Sequence, residues 1–313
     1  MARFYYGGQA VMEGVMMRGQ REVACAVRKP DNSIVVRREP LPRHYHSRIL
    51  KLPFFRGLVL LWDMLVIGTR MLLFSTEVAT STEEEKVEIG GATAAITLTI
   101  SLCFSIGLFF VLPLMVARSA DSRITSSVVS NLLEGSIRLA LLIGYLALIG
   151  RIPDVRRLFA YHGAEHKTIN ALEAGEPLDV PHIRPYPLSH IRCGTGFLLI
   201  VVVACIFVFA ALGRPPLYLR ILSRIFLVPL VATVAYEFVR FAANHYTNPI
   251  IKALMAPSLA LQALTTREPD DEQLQVAIVA LQAVLASEHA TTLAPPEGVE
   301  TVIPAPVLVG SSL

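Results

Sequence analysis

The sequence predicts a mainly α-helical membrane protein: a polytopic bundle of about four spans, a small N-terminal β-containing module and a C-terminal amphipathic helix. Three observations carry this expectation. Hydrophobic residues make up 53% of the 313-residue chain and charged residues only 17%, against about 25% charged in an ordinary soluble domain. The mean hydropathy is +0.54. The apolar residues also gather into runs long enough for a hydrocarbon core, which takes roughly 20 helical residues to cross.

Residues 1–52 read as a cytoplasmic module. Glu22–Lys29 and Ile34–Glu39 are β-rich runs separated by the turn signal Pro30-Asp31-Asn32-Ser33, so a hairpin is expected. Before it, four glycines surround Glu13 and Arg18 within residues 7–19. They predict either a shaped loop with close backbone approach or a flexible lead-in. Met1 to Gln20 lacks the basic-then-apolar plan of a cleaved leader, so the apolar runs are expected to stay in the mature protein.

Residues 53–264 form the expected membrane domain. Residues 91–117 contain no charge, and residues 132–149 hold Glu134 and Arg138 one helical turn apart, where they can pair. Residues 194–212 are uncharged, and residues 225–243 are uncharged until Glu237 and Arg240. Residues 54–74 differ, because Arg56, Asp63 and Arg70 recur every seven positions and share roughly one helical face. A lipid-facing span would not tolerate that stripe, so a helix lying in the interface, or a re-entrant one, is expected there.

Charge placement orients the bundle. Four spans put residues 1–90, 150–193 and 244–313 on one side, with Arg28, Arg37, Arg38, Arg151, Arg156, Arg157 and further basic residues. The other side keeps Arg118, Arg123, Arg214, Arg220 and Arg224. A fifth span at 54–74 would carry the basic 150–193 loop outside. Basic loops favour the cytoplasm, so both termini are expected inside a bacterial cytoplasmic membrane. The net charge of +3 is too small to indicate nucleic-acid binding. Cys25, Cys103, Cys193 and Cys205 have neither metal-finger spacing nor the pattern of a disulfide framework.

Residues 265–290 should hold an amphipathic helix, since Leu274, Ala277, Ile278, Leu281 and Val284 fall at helical spacing behind Asp270 and Asp271. Residues 291–313 are rich in Pro, Ala, Thr and Val without periodicity and read as a disordered tail.

The chemistry is expected in the cytoplasmic loop 150–193. His162, Glu165 and His166 fit H-x-x-E-H on a helix whose apolar positions run from Val155 to Leu172 at steps of three and four. His162 and His166 would project from one face to hold a single ion, and Glu165 would act as general base on a metal-bound water. A Zn2+ site needs at least one further protein ligand, and His190 and Cys193 are the candidates. Arg192 beside Cys193 would favour a thiolate. The bland alternative is an amphipathic helix whose histidines pack on polar neighbours. Glu13, Arg18, Arg192, Glu237 and Arg240 are further polar candidates, Glu237 having Arg240 three residues on as its simplest partner. His182 and His245 are weaker, and His44 and His46 read as surface residues of a basic linker.

Three stretches, GGQAVMEGVMMRG at 7–19, YHGAEHKTI at 161–169 with HIRCGTGF at 190–197, and LTTREPDDEQLQVAI at 264–278, resemble the YqhQ-like family of bacterial membrane proteins. The likeness covers about residues 1–290. It implies a family of unknown function whose members are labelled predicted metal-dependent enzymes, and it points to Glu13, His162, Glu165, His166, His190 and Cys193. The expected function is a membrane-bound, metal-dependent enzyme, a hydrolase first of all. The alternative is a non-enzymatic scaffold or accessory factor with a structural His/Cys cluster, and a small transporter comes third. The expected partners are the lipid bilayer and a membrane-protein partner or second copy of the chain.

Overall fold

A computed structural model describes residues 6–41, Leu52, 54–81, 89–289 and 299–303. The linker with His44 and His46 lies outside them. Strands β1 (Gly7–Val11), β2 (Gly14–Arg18), β3 (Glu22–Arg28), β4 (Ile34–Pro40) and β5 (Val299–Ile303) form one antiparallel sheet in chain order. The β3–β4 hairpin matches the expectation, with Val27 opposite Val35. Residues 7–19 do not form a loop. They make the β1–β2 hairpin, closed by Met12 and Glu13, with Val11 opposite Gly14. Their glycines do serve close approach: a Cβ on Gly8 would lie 2.6 Å from the Met16 carbonyl oxygen and 2.9 Å from Cγ of Glu165.

β5 corrects the reading of the tail. Residues 299–303 are strand, with Thr301 opposite Val36. Only a partner edge, supplied by β4 far upstream, makes a strand of a segment with no period of its own.

β2 and β3 are buried on both faces, which explains their unbroken apolar runs. One face (Val15, Met17, Ala24, Ala26) packs on α5 (Pro153–Ala174) and α10 (Asp271–His289), through Tyr161, Ala164, Leu274 and Leu281. All five residues that marked the amphipathic helix are buried. Asp270 caps α10: its carboxylate accepts from the Gln273 N–H at 2.8 Å, and Gln273 Oε1 accepts from the Asp270 N–H at 3.1 Å.

The other face packs on α1 (Phe55–Thr80) through Ile67, Met71 and Phe74. Among the described residues, five helices are long and apolar enough to cross a membrane: α1, the rod Gly91–Ser119, α4 (Ser127–Ile149), α7 (Gly194–Ala211) and α8 (Leu217–Asn244). The rod consists of α2 (Gly91–Ile106), a π-helical turn (Gly107–Val111) and α3 (Leu112–Ser119). These helices make the chain a membrane protein.

α1 packs on α8 with its first half and on the sheet with its second. Gly57 lies against Thr233 and Tyr236 of α8, and Arg56 Nε donates to Glu237 Oε1 at 2.6 Å. Its second half covers the sheet, where Arg70 pairs with Glu39 at 2.9 Å and Asp63 is buried. The charged stripe therefore faces protein, while Leu58, Trp62, Leu65 and Leu72 are exposed on the opposite side. Glu237 is thus bonded to Arg56, not paired with Arg240 alone as its spacing suggested.

α9 (Pro249–Gln262) is an element the sequence reading did not resolve within the membrane domain. Asn248 caps it, its Oδ1 accepting from the Ile250 N–H at 2.8 Å. It runs against the start of α7, and there it braces the loop that precedes that helix.

Candidate metal centre

α5 begins with Pro153 in its first turn and ends at Gly175 in the left-handed conformation, φ 83°. Its buried stretch runs from Phe159 to Ile169, with His162 alone only half-buried. Gly163 permits a close crossing: a Cβ there would sit 2.2 Å from the Arg267 carbonyl oxygen. The segment 264–268 therefore lies directly on the helix. Lys167 Nζ ties it down by donating to Glu268 Oε1 at 2.5 Å and, at 2.6 Å, to the carbonyl of Arg184, which ends the one-turn helix α6 (Val180–Ile183).

That crossing orients the histidines. His162 Nδ1 is 2.8 Å from the Thr265 carbonyl oxygen, and His166 Nδ1 is 2.5 Å from the Leu188 carbonyl oxygen. A carbonyl can only accept, so each Nδ1 carries a proton, and in the neutral ring each Nε2 presents its lone pair toward Cys193 or the space beside it. His162 Nε2 lies 3.3 Å from Cys193 Sγ. His166 Nε2 is buried and has no hydrogen-bond partner among the described residues. The ligand atoms of His162, His166 and Cys193 all fall within 4.8 Å of one another. His166 is 1% and Cys193 5% exposed.

His190, expected as a further ligand, stands beside this group and not in it. Its ring is 5.7 Å from that of His166, and its Nε2 faces Glu173 Oε2 at 3.8 Å. The cause is its backbone, which Gln262 of α9 grips on both sides: Oε1 accepts from the His190 N–H and Nε2 donates to the His190 carbonyl, each at 2.9 Å. Burial pushes the His190 imidazole below its usual range, so it stays neutral although Glu173 pulls the other way. Glu173 is itself raised by burial, but the neighbouring His190 ring and the charge of Arg192 outweigh that and hold it below the ordinary carboxylate value.

Glu165, on the same helix, points toward β1. Burial pushes its carboxyl up to about 6, against the pull of His162 and of the Gly8 N–H. Glu13 is a clasp between sheet and helix, accepting from Tyr161 Oη at 3.1 Å and from Arg157 Nη2 at 2.7 Å. Arg192 pairs with Glu173. Arg18 ends β2 in the sheet, and Glu237 and Arg240 lie on α8. None of these six, Glu165 included, belongs to the three-residue cluster.

The sequence reading missed Thr265, Leu188, Gln262 and Glu173. The first two act through backbone carbonyls, which no residue type announces. Glu173 had a usable signal, since it falls seven positions after His166, two turns along one face.

A family model described as "Protein of unknown function (DUF1385)" matches residues 52–287, a range that contains the whole cluster. The protein named "Uncharacterized protein YqhQ" from Bacillus subtilis (strain 168) is 33% identical over 297 residues, covering 90% of this chain and 93% of the relative. No solved structure matches the chain.

Proposed function

The chain belongs to the DUF1385 family, and from that footing we propose that it is a membrane-anchored metalloprotein whose centre is His162, His166 and Cys193. One observation carries the reading. Both imidazoles are tethered through Nδ1–H to main-chain carbonyls, so both Nε2 lone pairs and the Cys193 sulfur converge, and His166 Nε2 is otherwise unpartnered. Carbonyl-anchored imidazoles are the usual outer support of metal-ligating histidines. Two imidazoles and a thiolate suit zinc, and three protein ligands leave one tetrahedral position open.

A zinc ion held there would supply Lewis acidity and lower the pKa of a bound water to near 7. The chain's own contribution is orientation and proton handling. α5 sets the two histidines one turn apart, and Gln262 fixes the loop that delivers Cys193. Glu165 is buried between β1 and the cluster, near enough to His162 to feel its charge, and burial raises its carboxyl to about 6, a range suited to a general base. On these grounds the centre is hydrolytic. The charge asymmetry of the loops supports a position for it, with both termini, at the cytoplasmic face. α1 lies at the membrane surface there, its exposed apolar side toward lipid. The substrate is then a membrane-proximal molecule reached past His162, the only half-buried member of the cluster.

A second reading has its own support. The cluster joins α5 to the start of α7 and is almost wholly buried, as a structural clasp of a scaffold protein would be. Glu165→Gln in purified full-length protein separates the two. Under the hydrolytic reading the variant keeps its metal and loses activity in cells and in assays of membrane-proximal esters and amides. Unchanged cellular function with metal retained would leave the clasp as the sole role.

A further inference from the structure

At the end of the bundle away from the sheet, α4 and α8 bury more positive charge than the described residues neutralise. Glu134 accepts from Arg138 Nη2 at 2.8 Å and from Arg224 Nη2 at 2.9 and 3.0 Å, and it faces Arg220 at 3.5 Å. Asp121, in the turn before α4, faces Arg220 and Arg214 at 3.4 Å each. Four guanidinium groups thus share two carboxylates, and arginine cannot shed its proton in a protein. Arg220 is 4% and Arg224 8% exposed. Buried unpaired charge is among the costliest features a membrane protein can carry, and it marks function by default.

The hydrogen-bond inventory agrees with the charge count. Arg220 Nε and Nη2 and Arg224 Nε are buried without a hydrogen-bond acceptor among the described residues. Arg138, by contrast, is satisfied, because its Nε donates at 2.8 Å to the Phe109 carbonyl in the π-helical turn. π-turns within helices concentrate at functional sites. Arg224 also stacks over the Phe209 ring, 4.2 Å from its centre, which fixes the guanidinium plane. The cluster reaches the surface at Asp121 and Arg214, each 24% exposed. Glu134 lies roughly 22 Å along α4 from Ile149, so this cluster is separate from the metal centre.

We propose that Arg220 and Arg224, with Arg138 held beside them, form a binding site for a phosphate group at the outer end of the bundle. Oriented guanidinium donors match phosphate oxygens, and a phosphate monoester brings about two negative charges, enough to cancel the surplus. The phosphate belongs either to an anionic lipid headgroup or to a soluble phosphate compound.

Thermal unfolding and native mass spectrometry of the full chain test this in two arms. One arm adds inorganic phosphate or pyrophosphate to protein in detergent. The other compares nanodiscs containing phosphatidic acid, whose headgroup is a phosphate monoester, with nanodiscs of phosphatidylcholine. The site predicts a higher unfolding midpoint and a bound species in at least one arm, and the responding arm identifies the source. Arg220→Gln should bind about tenfold or more weakly and, without ligand, melt no lower than the parent, since it removes a surplus charge. Arg224→Gln reads the same loss if the first variant fails to fold. No response in either arm, or an equal response in the parent and a folded arginine variant, would overturn the proposal and leave the arginines as counterions of Glu134.

Discussion

His162 Nε2 stands 3.3 Å from Cys193 Sγ, across 31 positions of chain. The approach joins a helix outside the bundle to the first residue before a membrane helix. It depends on two main-chain contacts, Thr265 to His162 and Leu188 to His166, and on the grip of Gln262 on His190. The cluster is therefore built by three separate segments, each fixed by backbone hydrogen bonds.

Gln262 is a positioning residue on this account. Gln262→Leu leaves the His190 N–H and carbonyl without their buried partners, at a cost of roughly 2 kcal/mol or more. It should also weaken metal binding about tenfold, as loss of outer support does elsewhere. Competition with a chromophoric chelator measures the second effect, and an unchanged affinity would remove Gln262 from the support of the site.

Gly8 should not tolerate a side chain. The methyl of Gly8→Ala would meet the Met16 carbonyl at 2.6 Å and Glu165 Cγ at 2.9 Å. Overpacking of this kind costs about 1–3 kcal/mol, and urea unfolding of the detergent-solubilised chain should show it. A neutral result would mean that β1 can move away from α5 freely.

Glu173 gives a pH dependence. Its carboxyl is held below the ordinary glutamate value of 4.5. A depressed carboxylate adds stability that is present above the unfolded value and is lost as pH falls through the folded one. Metal-free, chelator-treated protein should therefore lose stability below pH 4.5 more steeply than Glu173→Gln does. Parallel melting curves for the two would contradict the assignment.

Topology is open to single-cysteine labelling. Ser122 in the α3–α4 turn and Glu176 after α5 are both exposed. Ser122→Cys should react with a membrane-impermeant maleimide in intact cells, and Glu176→Cys only after permeabilisation. The reverse pattern would invert the charge argument.

Much of this was legible in the sequence, for identifiable reasons. α10 could be read because its five marker positions face a core at helical spacing and Asp270 supplies a cap. The placing of His162 beside His166 could be read because i and i+4 share a helical face, and Cys193 stood out as a ligand-type residue just before the span expected at 194–212. β1 and β2 were obscured by Gly7, Gly8 and Gly14, which weaken strand propensity, yet Gly8 and Gly14 are needed for close packing. α9 was masked by Pro257 within it. His190 could not be excluded as a ligand, because its place depends on a glutamine 72 positions away. β5 needed the edge of β4, which no local pattern displays.

The most direct test is the metal content of the purified full-length chain by inductively coupled plasma mass spectrometry, beside His166→Ala and Cys193→Ser. About one zinc per chain is expected in the parent and little in either variant, with His190→Ala keeping its metal because His190 stands outside the cluster. A parent that holds no metal and takes up none when zinc is supplied would contradict this expectation.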